Sequence, residues 1–254
     1  MDIYSSWFTG LMFLLAAVAL GLMPARLFRR GWRARLPSES KLVASDVMSR
    51  VGALHGLILA LVFANAHGGN EQLRAVITQE ATAADHVYYN ARRFGDPQLM
   101  AATVAYIRTV IEQDWPSMRD RHALSDAGWR AWGDMLEGGL GLTPKNPRQS
   151  ALATQIQADI WRIENLRQAR GYQADNRIAP FFWLVAVTGI ILIGALLFVH
   201  DPTPVHQLMM SAYSVYTGLV LFLIYDLTRP FDGALQLLPT AFHGTLEAIA
   251  SGSF

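Results

Sequence analysis

Three stretches of this chain run for about 20 residues without a fixed charge: Ser5–Met23, Pro180–Val199 and Val205–Tyr225, the last with only His206 as a titratable group. Each is close to the ~20 apolar residues an α-helix needs to cross a ~30 Å hydrocarbon core. Lipid offers the backbone no hydrogen bonds, so each stretch must satisfy its own and is predicted helical. A fourth stretch, Val51–Ala66, is shorter and carries His55 and Asn65. It spans if Met48–Arg50 and His67–Asn70 extend it into the interfaces. Four membrane helices follow, at about 5–23, 51–67, 180–199 and 205–225. Composition agrees: 52% of residues are hydrophobic and 16% charged, against roughly 25% charge in soluble domains.

Ala17-Val18-Ala19 has the small-x-small look of a signal-peptide cleavage site, but Asp2 and no Lys or Arg precede it. A signal peptide wants a basic leading region, so the first span is expected to stay as an anchor. A formal net charge of +1 argues against nucleic acid as a partner. The absence of Cys removes disulfides, thiolate metal sites and cysteine nucleophiles.

Between the first two spans, residues 24–50 hold Arg26, Arg29, Arg30, Arg33, Arg35, Lys41 and Arg50 against Glu39 and Asp46. The 200–204 loop between the last two spans has no Lys or Arg. These two loops share a side, and the basic one is expected in the cytoplasm of a cell with this protein in its inner membrane. Residues 68–179 carry 13 basic and 13 acidic side chains, so they cast no vote. They are expected on the extracytoplasmic side.

Residues 71–179 read as helices. Leu73, Val76, Ile77, Ala84, Val87 and Tyr88 repeat at the spacing of one helical face, which predicts one long helix continuing the second span, with Gly68-Gly69 as a weak point. Gly95-Asp96-Pro97 stops it. A helix from Pro97 to Trp115 is expected to end at Pro116. Ser125-Asp126 caps a shorter helix, and Asn146-Pro147 opens a last one. Pro180 suits the first turn of the third span. The fold class is therefore all-α: a first membrane hairpin at 1–70, an extramembrane helical bundle at 71–179, and a second hairpin at 180–254 that ends in an amphipathic segment, with Phe242, Leu246 and Ile249 on one side. That segment is expected on the membrane surface or against a neighbour.

Several strings, in order, resemble the bacterial bestrophin-like family. They are Gln79-Glu80-Ala81-Thr82-Ala83-Ala84-Asp85; Tyr106 followed by Glu112-Gln113-Asp114-Trp115-Pro116; Asn165-Leu166-Arg167-Gln168-Ala169-Arg170 running into Pro180 and Trp183; and Asp226-Leu227-Thr228-Arg229-Pro230-Phe231-Asp232-Gly233 before Pro239 and Phe242. Here Leu227-Thr228 separates the Asp and Arg of the closing signature, which weakens a direct Asp–Arg pair. The family's function is unassigned. Its distant likeness to bestrophins, oligomeric chloride-permeable channels with four membrane helices per subunit, implies a homo-oligomer (a pentamer by that likeness) in a lipid bilayer, with inorganic anions as partners. Bestrophins hold their large helical region in the cytosol, opposite to the side that the charge count assigns here.

The second span holds the pore-lining candidates: Gly52, His55, Gly56, Leu57, Leu61 and Asn65. Gly52 and Gly56 allow a close helix approach, and His55 and Asn65 are costly in lipid. Such groups either join helices by hydrogen bonds or face a central pore, with Leu57 and Leu61 as a constriction. Ser211, Ser214 and Thr217 form a polar stripe on the fourth span, a packing surface or a solute-facing one. Tyr213, Tyr216, Tyr225, Trp7 and Trp183 suit interfacial anchoring. Glu80 and Arg170 lie on buried stripes, where a charge is expensive unless paired, so they are expected to form a structural ion pair, with Arg167 or Arg108 as substitute partners. Arg229, Pro230, Phe231, Asp232 and Gly233 make a membrane-exit turn, with Arg229 facing headgroups or a pore vestibule. The seven His show no His-x-x-x-His spacing, and there is no Gly-x-Ser-x-Gly, phosphate-binding loop or metal-ligand cluster. No enzyme, cofactor or metal site is expected. The two readings of function are an ion channel and a non-conducting sensor or scaffold whose bundle binds a partner.

Overall fold

A computed structural model describes residues 3–31, 38–174 and 179–252. The helices are α1 (Ile3–Gly31), α2 (Ser38–Phe94), α3 (Pro97–Thr109), α4 (Trp115–Arg121), α5 (Asp126–Leu140), α6 (Pro147–Ala174), α7 (Pro180–Leu196), α8 (Pro204–Leu227) and α9 (Thr240–Ser251). A π turn, Val110–Asp114, joins α3 to α4. No strand occurs among the described residues. Parts of α1, α2, α7 and α8 are long and apolar enough to cross a membrane. The chain divides into two compact units: residues 1–68, 177–229 and 233–235, and residues 69–176, 230–232 and 236–254.

In the first unit the α1, α7 and α8 helices approach backbone to backbone. A Cβ on Gly194 would run into the Gly21 carbonyl, and one on Gly218 would sit 3.0 Å from the Phe13 carbonyl and 3.1 Å from Leu14 Cα. Small residues permit this dispersion-driven packing where no hydrophobic effect acts between helices in lipid. Ala17, Leu59, Val62, Ala186, Ile190, Leu221 and Ile224 fill the core. The 24–50 stretch expected as a loop is helical at both ends, since α1 passes through Pro24 to Gly31 and α2 begins at Ser38. Near the end of α1, Arg29 donates to the carbonyls of Leu197 (3.1 Å) and His200 (2.6 Å), just past α7. Arg33 and Arg35 lie outside the described residues.

The second unit is built on the later half of α2, which passes Gly68-Gly69 without a break. Its apolar stripe, Leu73, Ile77, Ala84, Val87 and Ala91, packs with Ile107, Met118, Met135, Ile156, Ile160, Ile163 and Phe242. Gly95 (φ 91°) takes the left-handed conformation that a side chain would resist, and Asp96 caps α3 by accepting from the Leu99 N–H at 2.9 Å. Pro116 does not end the chain of helices. It sits in the first turn of α4, where its missing N–H and its ring fall after a widened turn, with the Trp115 N–H bonded back to the Val110 carbonyl. The left-handed His122 ends α4. α9, expected on a membrane surface or a neighbour, instead buries Phe242 in this core.

Candidate functional site

Two constellations hold the polar residues that the sequence singled out, one in each unit. In the first, α2 turns one edge inward. His55 is 3% exposed, bonding through Nδ1 to the Tyr213 hydroxyl at 2.8 Å and through Nε2 to the Ala186 carbonyl at 2.9 Å. The carbonyl only accepts, so Nε2 carries the proton and Nδ1 accepts from Tyr213. Gly189 makes room for the ring, since a Cβ there would strike it. The expectation of His55 as a pore-lining group is therefore corrected: on this helix it faces α7 and α8, because that is where its two partners are. Tyr213, expected as an interfacial anchor, is the hydrogen-bond partner of this ring.

The other face of α2 is uncovered within the protomer. Leu57 and Leu61 are 58% and 63% exposed, Gly56 and Asn65 are exposed, and nothing stands within 4 Å of a Cβ at Gly52 or Gly56. Gly56, Ala60 and Ala64 recur every four residues along this face. The uncovered side of α1 differs, since it presents Trp7, Phe8, Leu11 and Leu15, bulky groups suited to lipid chains.

The polar stripe of α8 is a packing surface. Ser214 and Thr217 are buried, a Cβ on Gly21 of α1 would strike Ser214 Oγ, and Thr217 donates to the Tyr213 carbonyl at 2.9 Å; Ser211 is half-buried. After α8, Asp226 accepts from the N–H groups of Ala234 (2.6 Å) and Leu235 (2.7 Å), and Gly233 fits because a Cβ there would crowd that carboxylate. Arg229 bonds to the Tyr225 hydroxyl and lies 5.2 Å over its ring, so it is engaged within its own helix end. Within this turn Phe231 is buried edge-on against Trp115 in the bundle core, with centroids 5.6 Å apart. Pro230 and Asp232 are buried beside it.

The second constellation is a closed ionic knot. Arg170 on α6 binds Glu80 on α2 through Nε (2.7 Å) and Nη2 (2.9 Å), and Nη2 also reaches Asp114 at 3.1 Å. Arg167 grips the Asp114 carboxylate with both Nη atoms and donates to the Ser125 carbonyl at 3.2 Å. Ser125 donates to Asp114 from its hydroxyl (2.6 Å) and its N–H (3.0 Å), and Tyr106 donates to Glu80 at 2.6 Å. All four charged side chains have no exposure. Two carboxylates meet two guanidiniums, so the knot is neutral, which is the condition for burying charge at tolerable cost. The guanidiniums also lie over Trp129 (5.0 Å) and Trp115 (5.3 Å). Burial works against ionised Asp114, but Arg170 and Arg167 outweigh it and hold its carboxyl below the ordinary value of 3.8. Burial, then the Glu80 charge, pushes the Tyr106 hydroxyl well above its usual range.

The sequence placed Glu80 and Arg170 opposite each other, offered Arg167 or Arg108 as substitutes, and missed Asp114 and Ser125. Arg167 takes Asp114, while Arg108 is exposed. The signal for Asp114 was the Asp-Trp-Pro string, since a proline inside a helix widens the turn before it and swings the preceding residues inward. No group of three or more His, Asp or Glu among the described residues is placed to hold a metal ion.

The model of the bestrophin-like domain matches residues 11–242. A bacterial bestrophin homologue from Klebsiella pneumoniae, solved with an isoleucine-to-threonine substitution, superposes with a TM-score of 0.67 at 13% identity, over 94% of this chain and 97% of that one. A membrane protein solved with a proline-to-alanine substitution gives a TM-score of 0.64 at 13% identity, over 94% and 96%. No curated protein matches the sequence.

Proposed function

This chain belongs to the bestrophin-like family, and from that premise we propose that it acts as a homo-oligomeric ion channel in the cell inner membrane, passing inorganic anions along an axis lined by the second helix of each copy. The uncovered face of α2 carries the reading. Small residues at four-residue spacing let helices approach closely, and Leu57 and Leu61 supply an apolar constriction of the kind that gates by dewetting. Gly52, Gly56 and Asn65 line the same path. His55 serves it indirectly by fixing the rotation of α2 against α7 and α8. A ring of five copies is the assembly that the family likeness favours. The charge count puts the 24–50 segment in the cytoplasm and the bundle outside.

Reconstitution into vesicles under a KCl gradient tests this. Chloride flux, with a reversal potential near that of chloride, is expected, and Leu61→Ala raises the flux by widening the constriction. Leu57→Cys, the sole cysteine of that variant, gives disulfide-linked dimers on mild oxidation. No flux from protein that stays monomeric in lipid overturns the channel and leaves an anchored scaffold. Flux that follows the cation overturns the selectivity.

A further inference from the structure

Away from the knot, the second unit has an open recess of about 590 Å³, lined by Asp85, His86, Arg92 and Arg93 of α2 and by Gln155 of α6. This volume falls in the range of small-molecule sites, yet the wall is polar and its charges are unspent. Among the described residues, neither Asp85, Arg92 nor Arg93 has an oppositely charged partner within 4.0 Å. Behind the wall, Asp159 is 8% exposed and its Oδ2 has no hydrogen-bond donor. That oxygen points at the ring of His86, 4.0 Å away. Burial pushes both the Asp85 and Asp159 carboxyls up, with His86 only partly opposing it. The recess thus sets one carboxyl and two guanidiniums around an open space, and none of the three is spent on an ion pair among the described residues. In the knot, such groups satisfy one another; here they do not.

We propose that this recess binds a small zwitterionic solute, its ammonium held at Asp85 and its acid group gripped by Arg92 and Arg93. An ammonium brings three N–H donors, and a carboxylate accepts a guanidinium's paired N–H groups. Asp85 and Arg92 are seven residues apart, about 10.5 Å along a helix. Helical side chains lean toward the N-terminus, so the long arginine side chain shortens that gap to the reach of a short ω-amino acid. The site is independent of the channel reading, because it needs neither a pore nor a second copy.

Isothermal titration calorimetry of the full chain in lipid nanodiscs, with ω-amino acids of three to six carbons as probes, tests it. One or two chain lengths are expected to bind with Kd near or below about 1 mM. Butanoate and butylamine, each carrying one of the two charges, bind at least about tenfold more weakly. Asp85→Asn and Arg93→Gln each weaken the zwitterion by about tenfold or more, and Gln155→Trp abolishes binding by filling the recess from the α6 side. The first two sites lie outside the buried core, so an unchanged thermal transition separates lost binding from lost fold. No heat from any probe up to about 50 mM, equal binding of the single-charge analogues, or indifference to all three substitutions overturns the proposal.

Discussion

The two halves of α2 handle polarity in opposite ways. Before Gly68, the buried polar side chain His55 meets uncharged partners, the Tyr213 hydroxyl and the Ala186 carbonyl, and the face left open is mostly apolar, with leucines beside small residues. After Gly69, Asn70, Glu80 and Asn90 are buried, the charged one, Glu80, is balanced by a guanidinium, and the open face carries Arg74, Thr78, Thr82, His86 and Arg92. A helix shows in its uncovered face which solvent it was built for, and in its buried face what that solvent allows. Lipid-embedded packing tolerates a neutral hydrogen-bonded ring at modest cost. A water-bounded bundle can bury full charges, provided they sum to zero.

Breaking the balance of the charged half has the largest expected effect. Arg170→Met leaves the Glu80 carboxylate buried without a cationic partner, since Arg167 bonds Asp114, so the bundle loses about 3–5 kcal/mol. Thermal unfolding followed by far-UV circular dichroism reads this as a lower or absent bundle transition. The triple change Arg170→Met, Glu80→Gln and Tyr106→Phe recovers part of that loss, since no unpaired charge remains buried. A single variant as stable as the parent would show that the knot is not holding the bundle.

Most of this architecture was legible in the chain because its periods are strong. Charge-free windows mark the spans, the seven-residue offsets of Glu80 from Leu73 and Val87 put a carboxylate on the buried stripe, and Gly95-Asp96-Pro97 marks a helix boundary. What stayed hidden depends on contacts distant in sequence. His55 and Gly56 are adjacent, and no local pattern says which faces the protomer's interior; Tyr213, 158 residues away, decides it. Helix propensity also underrated Pro24, which α1 passes through, and Pro116, which a single π turn accommodates. Asp114 escaped notice because α-helical spacing does not hold across that turn.

In the membrane half the expected effect is smaller. His55→Leu removes two hydrogen bonds and strands the Tyr213 hydroxyl, costing about 1–3 kcal/mol, while the Ala186 carbonyl keeps its place in α7. Tyr213→Phe costs about 1 kcal/mol, because Nε2 keeps its carbonyl. Under the proposed architecture, His55→Leu also alters flux through rotation of α2, while Tyr213→Phe changes it less. Both are read by thermal unfolding in detergent and by vesicle flux, and an equal response of the two variants would remove the positioning role of the ring.

The smallest effect has the opposite sign and a defined pH dependence. Burial raises the folded-state pKa of Asp159 above its ordinary value of 3.8, so the folded protein holds that proton more tightly than the unfolded chain. As pH climbs from about 3.8 through the raised value, the folded state loses stability, and above it the penalty is complete. Asp159→Asn removes the penalty and is expected to stabilise the bundle at pH 7 by about 1 kcal/mol, an advantage that fades on acidification toward 3.8. Asp114 runs the other way: its depressed pKa contributes stability above 3.8 that is lost as pH falls through the folded value. Acid therefore weakens the knot while it relieves Asp159. The difference in transition temperature between Asp159→Asn and the parent, followed from pH 7 down to pH 4, isolates the second contribution, because the Asp114 response is common to both proteins and cancels. A difference that does not change with pH would show that the buried carboxylate already has a partner.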